Sequence, residues 1–230
     1  MAGSKEWVRL PSKWIGEYGL SSLSWKNGGT GADRIAALMA LTVIAHSADE
    51  ETGIARVTYD HFCDTTGLSR AKISNGLDEL EHIDVIEREP DDARSTFKLA
   101  GYHRDAGWAK FPLKSMYSSS TIAAFNDFRL RRMAELDALK LFFLLVAMRN
   151  NRANVALIGY DKIELYTGIP RNRIKIGISL LAAHSLIYVE HLRSTESVHG
   201  VANAYRIVGI SPYNHMGTRG RTVEDAAFEG

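Results

Sequence analysis

The sequence predicts an α+β fold, mainly helical, in which one domain is written twice. Three observations carry that expectation. Shifted by 101 positions with no gap, Trp7, Pro11 and Lys13 fall on Trp108, Pro112 and Lys114, and Tyr59-Asp60 falls on Tyr160-Asp161. The same shift pairs Thr66-Gly67 with Thr167-Gly168, Arg70 with Arg171, Ile73 with Ile174, Gly76 with Gly177 and Leu80 with Leu181. A repeat of this period is a whole domain, longer than a solenoid unit. The chain of 230 residues has room for two small domains, each long enough to bury a core without disulfides or metals. Helical and strand-like patterns also alternate in the same order in both copies.

Each copy opens on an arm, Trp7-Val8-Arg9-Leu10-Pro11 and Trp108-Ala109-Lys110-Phe111-Pro112. Proline forbids helix at that point, so both arms are extended. Ile35, Leu38, Leu41, Thr42 and Ala45 then recur at helical spacing, as do Leu136, Leu139, Phe142, Phe143 and Val146, predicting a buried helix in each copy. Asp33 is expected to cap the first of them. Turn residues follow at 49–53 and 150–154, then short β-branched stretches of strand length at 54–58 and 155–158.

A short helix from Tyr59 ends at Gly67, a residue tolerant of the left-handed conformation, and Ser69 caps the next helix. That helix lines up Ile73, Leu77 and Leu80; its copy lines up Ile174, Ile178 and Leu181. An extended run at 85–86 or 186–189, a polar tip and a return strand at 96–100 or 204–208 close each copy, and the second tip, 194–201, is longer. Between the copies, residues 118–120 are expected to cap an amphipathic helix carrying Ile122, Phe125 and Phe128 and leading into Arg129, Arg131 and Arg132. Helix, strand, helix, glycine turn, helix and hairpin is the order of a winged helix-turn-helix, whose second motif helix enters the DNA major groove. The expected organisation is two such domains, 1–105 and 106–210, with a mobile tail at 211–230.

Bulk properties narrow the function. The one cysteine, Cys63, excludes a disulfide framework within the chain and suits a reducing compartment, with the thiol expected as a partly buried structural group. The opening residues carry no pattern of a secretory signal, and the longest apolar run, 141–148, is under half of a membrane span. A cytoplasmic protein without a membrane role is expected. The net charge of +1 hides an asymmetry: residues 1–128 hold 14 Lys+Arg against 18 Asp+Glu (−4), residues 129–210 hold 12 against 6 (+6), and the tail holds 2 against 3 (−1). The basic second copy is the better polyanion binder.

The candidate site follows from that split. Arg171, Asn172, Arg173 and Lys175 cluster at the start of the second recognition helix. Arginine forks suit guanine, asparagine suits adenine, and Lys and Arg neutralise phosphates. Arg193, Ser194 and His199 are the wing candidates. The first copy offers Ser69, Arg70, Lys72, Ser74 and Asn75 at matching positions, but residues 78–92 hold eight acidic residues and one basic one, which points to dimerisation or partner contact. Tyr59 and Tyr160 suit core packing better than phosphate contact. The stretch 27–31 lacks the Lys-Ser/Thr of a phosphate loop. The histidines have no metal-ligand spacing, and no nucleophile–base pair or carboxylate dyad is present, so no enzyme, metal or cofactor is expected.

The segments 58–87 and 159–190, above all Thr-Gly-Leu-Ser-Arg and Thr-Gly-Ile-Pro-Arg, together with the duplicated plan over residues 7–210, resemble the plasmid replication initiators. The resemblance implies two winged-helix domains, the first tending to dimerisation and the second to the main contacts with repeated origin sequences. The acidic first copy departs from a pattern in which both domains grip DNA. The expected function is sequence-specific binding of double-stranded DNA, as a homodimer serving replication initiation. Transcriptional regulation with the same fold is the alternative, the machinery of either process being a further partner, and a winged-helix protein-interaction module is a second alternative.

Overall fold

In chain order the first copy runs β1 (Trp7–Pro11), α1 (Lys13–Gly16), α2 (Gly19–Ser22), α3 (Gly31–Ser47), β2 (Ile54–Arg56), α4 (Tyr59–Thr66), α5 (Arg70–His82), β3 (Ile86–Glu89) and β4 (Thr96–Leu99). The second runs β5 (Trp108–Pro112), β6 (Tyr117–Ser118), β7 (Thr121–Ile122), α6 (Met133–Ala147), β8 (Val155–Leu157), α7 (Tyr160–Thr167), α8 (Arg171–Ala183), β9 (Ile187–Arg193) and β10 (Val201–Ile207). This computed structural model describes residues 5–25, 31–89, 95–193 and 201–211, and the expected tail falls outside them from residue 212 on. The fold is mixed α/β, with eight helices among the described residues. No helix among them is long and apolar enough to cross a membrane.

The repeated Thr-Gly pairs have a physical cause. Thr66 Oγ1 donates to the Phe62 carbonyl (2.6 Å) and accepts the Leu68 N–H (3.2 Å), so one buried hydroxyl ties the helix end to the turn. Thr167 does the same with Ile163 (2.6 Å) and Ile169 (3.2 Å). Gly67 and Gly168 follow at φ 72° and 65°, where a side chain would be strained. Ser69 accepts the Lys72 N–H (3.4 Å) at the start of α5, whereas Pro170, its counterpart before α8, has no capping side chain. Helix α5 crosses α3 at Gly76 and α8 crosses α6 at Gly177. A Cβ on Gly76 would stand 2.7 Å from the Ala36 and Ala37 backbone, and one on Gly177 would stand 2.5 Å from Leu141 Cδ1. Each copy then folds a three-stranded antiparallel sheet of the same order, β2-β4-β3 and β8-β10-β9.

Two local expectations need correction. Asp33 is not a cap: α3 begins at Gly31, and Asp33 turns inward from the first turn to meet α5. Residues 118–128 are not a helix. Tyr117–Ser118 and Thr121–Ile122 form a small hairpin with Ser119 at φ 59°, and a 3₁₀ turn follows at Ala123–Phe125. The serines build the hairpin loop instead of capping a helix, while Ile122, Phe125 and Phe128 are still buried.

The copies are joined by pairing each arm with the other. Strands β1 and β5 run antiparallel with Arg9 opposite Lys110, Trp7 opposite Pro112 and Pro11 opposite Trp108. Exchanging the copies leaves this register unchanged, so a local two-fold axis passes through the Arg9–Lys110 pair. The side chains obey it: Trp7 and Trp108 stack at 5.7 Å, Arg9 lies 5.2 Å over Trp108, and Lys110 lies 4.8 Å over Trp7. Equivalent helices α3 and α6 also pack together, and both are buried over most of their length, which explains why they are apolar all round.

After the arms, the chain exchanges sides. Helix α2 rests on α7 of the second copy, and β7, at the equivalent sequence positions, rests on α4 of the first. Tyr18 stacks on Tyr166 (5.1 Å), Trp14 meets Phe143 (6.4 Å), and Lys140 Nζ donates to the Leu23 carbonyl (2.7 Å). In the other direction His46 bonds the Tyr117 hydroxyl (3.1 Å) and the Pro112 carbonyl oxygen (2.9 Å). Burial lowers the pKa of His46 to about 4, so it is neutral there near pH 7.

Candidate nucleic-acid interface

Helix α8 turns Ile174, Gly177, Ile178 and Leu181 onto the core, which leaves Arg171, Asn172 and Lys175 exposed on its first two turns. No acidic residue occurs between Arg171 and Ala183. Asn172 and Lys175 make no ion pair or side-chain hydrogen bond with a described residue. Lys162, exposed on α7, also lacks a carboxylate partner among the described residues.

The two arginines beside them differ sharply. Arg171 pairs with Asp161 across the helix–turn–helix and lies 5.7 Å from the Tyr160 ring, with side-chain exposures of 62% and 88% for the ion pair. An ion pair this open contributes about 0–1 kcal/mol, so a phosphate or base can displace it. Arg173 is held through both arms: Nε donates to Asp137 Oδ2 (2.9 Å) and Nη2 to Asp137 Oδ1 (2.8 Å). Asp137 is buried on α6, so Arg173 neutralises a charge that has little other solvation. Lys140, one turn further along α6, has its pKa lowered to about 8 by burial, with Asp137 opposing the shift. Arg173 therefore fixes α8 to α6, and the outer face is left to Arg171, Asn172 and Lys175.

The matching face of the first copy is occupied from within. Arg70 pairs with Asp60 (2.5 Å), the equivalent of the Arg171–Asp161 pair. Lys72 and Asn75 both donate to Asp33 Oδ1 (2.8 and 3.1 Å), and Ser74 is half-buried. On the sheet beyond, Arg88 meets Asp78 (2.6 Å) and Glu81 (3.3 Å), and Lys98 meets Glu87 (3.2 Å). Ser69 thus caps α5 and the other four first-copy candidates lie on its first turns; Arg70 is as open as Arg171, but Lys72 and Asn75 are held by Asp33, and Asp78, Glu79 and Glu81 follow on the same helix.

No protein-family model matches this chain, and no curated protein matches it.

Of the wing candidates, Arg193 ends β9 and its side chain lies outside the described residues, as do Ser194 and His199. Tyr59 and Tyr160 are partly buried and pack against the core. Cys63 is a free, partly buried thiol whose pKa burial raises.

One feature was legible only as composition. Arg129, Arg131 and Arg132 are all exposed just before α6. Their backbone N–H groups donate to the buried Glu135 carboxylate at 3.0, 3.1 and 3.4 Å. The signal available in sequence was three arginines in four residues followed by a lone acid at a helix N3 position, a capping-box spacing.

Proposed function

We propose that this chain is a tandem winged-helix protein that binds double-stranded DNA, with the second copy as its main reader. The observation that carries the proposal is the contrast between two equivalent helices. Both helices carry an equally open arginine, Arg171 and Arg70, but α8 adds Asn172 and Lys175 with no acid on the helix, whereas on α5 Lys72 and Asn75 are held by Asp33 and three acids follow. Asparagine and arginine can read adenine and guanine edges, and lysine gains affinity by releasing counterions from phosphates. The helix order and the three-stranded sheet beside each second helix support the winged-helix description.

The symmetric pairing of β1 with β5 makes α5 and α8 equivalent helices on like scaffolds, and their outer faces decide which one meets DNA. The DNA reader is α8, and the acidic first copy is the surface for a protein partner, including a second copy of the chain. Among the tasks such a protein serves, the resemblance to plasmid replication initiators favours initiation on a plasmid or mobile element.

The test is binding of a labelled random-sequence duplex at low salt. Wild type should bind, and Asn172→Ala/Lys175→Ala should weaken binding by roughly tenfold, the counterion-release worth of one phosphate contact at low salt. Absence of binding by folded wild type overturns the proposal.

A further inference from the structure

The first copy serves as an internal control for the second, and one basic element exists in the second alone. Position 135 is Glu and its equivalent, 34, is Arg, which pairs with Glu79 (3.2 Å) on α5. Nothing in the first copy corresponds to Arg129, Arg131 and Arg132, whose equivalents are Gly28, Thr30 and Gly31. Glu135 directs its carboxylate at three backbone N–H groups, so it shapes the loop and makes no ion pair with the arginine side chains. Of the nearby acids, Asp137 holds Arg173, and Asp127 is exposed, 3.8 Å from His184. Among the described residues the three guanidinium groups have no carboxylate partner. Crowding three cations into four residues carries a Coulomb cost that water and salt relieve only in part, and a polyanion offsets it.

The loop also sits where it can act with α8. Asp137 lies one turn, about 5–6 Å, beyond the start of α6, and its carboxylate grips Arg173. The arginine loop and the first turns of α8 therefore flank the same end of α6. A duplex carries about one phosphate per 1.7 Å of axis, so a backbone segment meeting α8 offers several phosphates to side chains of arginine length.

We propose that Arg129, Arg131 and Arg132 form a second phosphate-gripping element that holds the DNA backbone beside α8, with Glu135 as the positioning residue that sets the loop. The inference rests on the DNA-binding function proposed above. It predicts sequence-independent affinity: the loop fixes register and orientation, while Asn172 and Lys175 sense the groove.

The experiment is a salt series of duplex binding for wild type and three variants, each shown to be folded by circular dichroism. Arg129→Ser/Arg131→Ser/Arg132→Ser should lower the slope of log K against log salt by about 2–3, close to 0.9 for each phosphate that is no longer neutralised. A control removing three cations of the first copy, Lys13→Ser/Lys98→Ser/Arg104→Ser, should leave the slope in place. Glu135→Gln makes the chain more positive, so net charge alone would tighten binding; a loosened loop predicts weaker binding and a smaller slope. If the arginine triple keeps the wild-type slope while Asn172→Ala/Lys175→Ala loses affinity, the loop proposal falls and the DNA function stands. Equal losses in both cation triples also overturn it. Folded wild type that ignores DNA at low salt overturns both. Should Glu135→Gln unfold, the exposed arginine triple still decides the outcome.

Discussion

Arg171 and Arg173 stand two positions apart, carry the same charge, and belong to different parts of the molecule. Arg171 meets an exposed aspartate, while Arg173 is tied at two points to a buried one. Removing Arg173 leaves Asp137 charged and without its main partner, at a cost on the order of 3 kcal/mol. Removing Arg171 breaks an open pair at a cost of about 0.5 kcal/mol. Denaturant unfolding of Arg173→Ala and Arg171→Ala should show that difference in midpoint, and only Arg171→Ala should keep wild-type stability while losing DNA affinity. Equal destabilisation would contradict the assignment. Sequence alone could not separate the two, because Asp137 lies on another helix, 36 residues away. The Arg171–Asp161 pair was readable in principle, since Arg70 and Asp60 repeat it at the same spacing.

Among elements, the glycine at each helix crossing gives a comparison that the duplication makes unusually clean. At Gly76 an added methyl meets the α3 backbone, which cannot step aside; at Gly177 it meets the end of the Leu141 side chain, which can rotate. Gly76→Ala should therefore destabilise by about 2–3 kcal/mol through overpacking. Gly177→Ala should cost less than about 1 kcal/mol, because the higher helix propensity of alanine offsets part of the strain. Thermal unfolding of the two variants checks this, and a larger loss at Gly177 would contradict the packing described. Most elements were legible, including the arms, the buried helices, the Thr-Gly turns and the strands, because each follows from local periodicity, proline or glycine. Helices α1 and α2, four residues each, were not, nor was the 118–128 segment. Its apolar spacing fits a helix, but its conformation answers to the α4 surface it covers, and that surface comes from the other copy.

For the whole molecule, duplication and charge asymmetry were visible in the chain, while the way the copies join was not. Periodicity says that Trp7–Pro11 is extended; it does not say that the strand pairs with its own repeat, or that residues beyond each arm cross to the opposite copy. These exchanges make the two copies one body about a local two-fold axis, with like scaffolds and unlike outer faces. On the proposed reading, DNA lies on the second of those faces. Hydrogen exchange of the backbone, with and without duplex at low salt, tests it most directly. Slowed exchange concentrated at 129–132 and 171–176, with residues 70–75 little changed, is the predicted result. Protection confined to 70–75, or none anywhere, would contradict it.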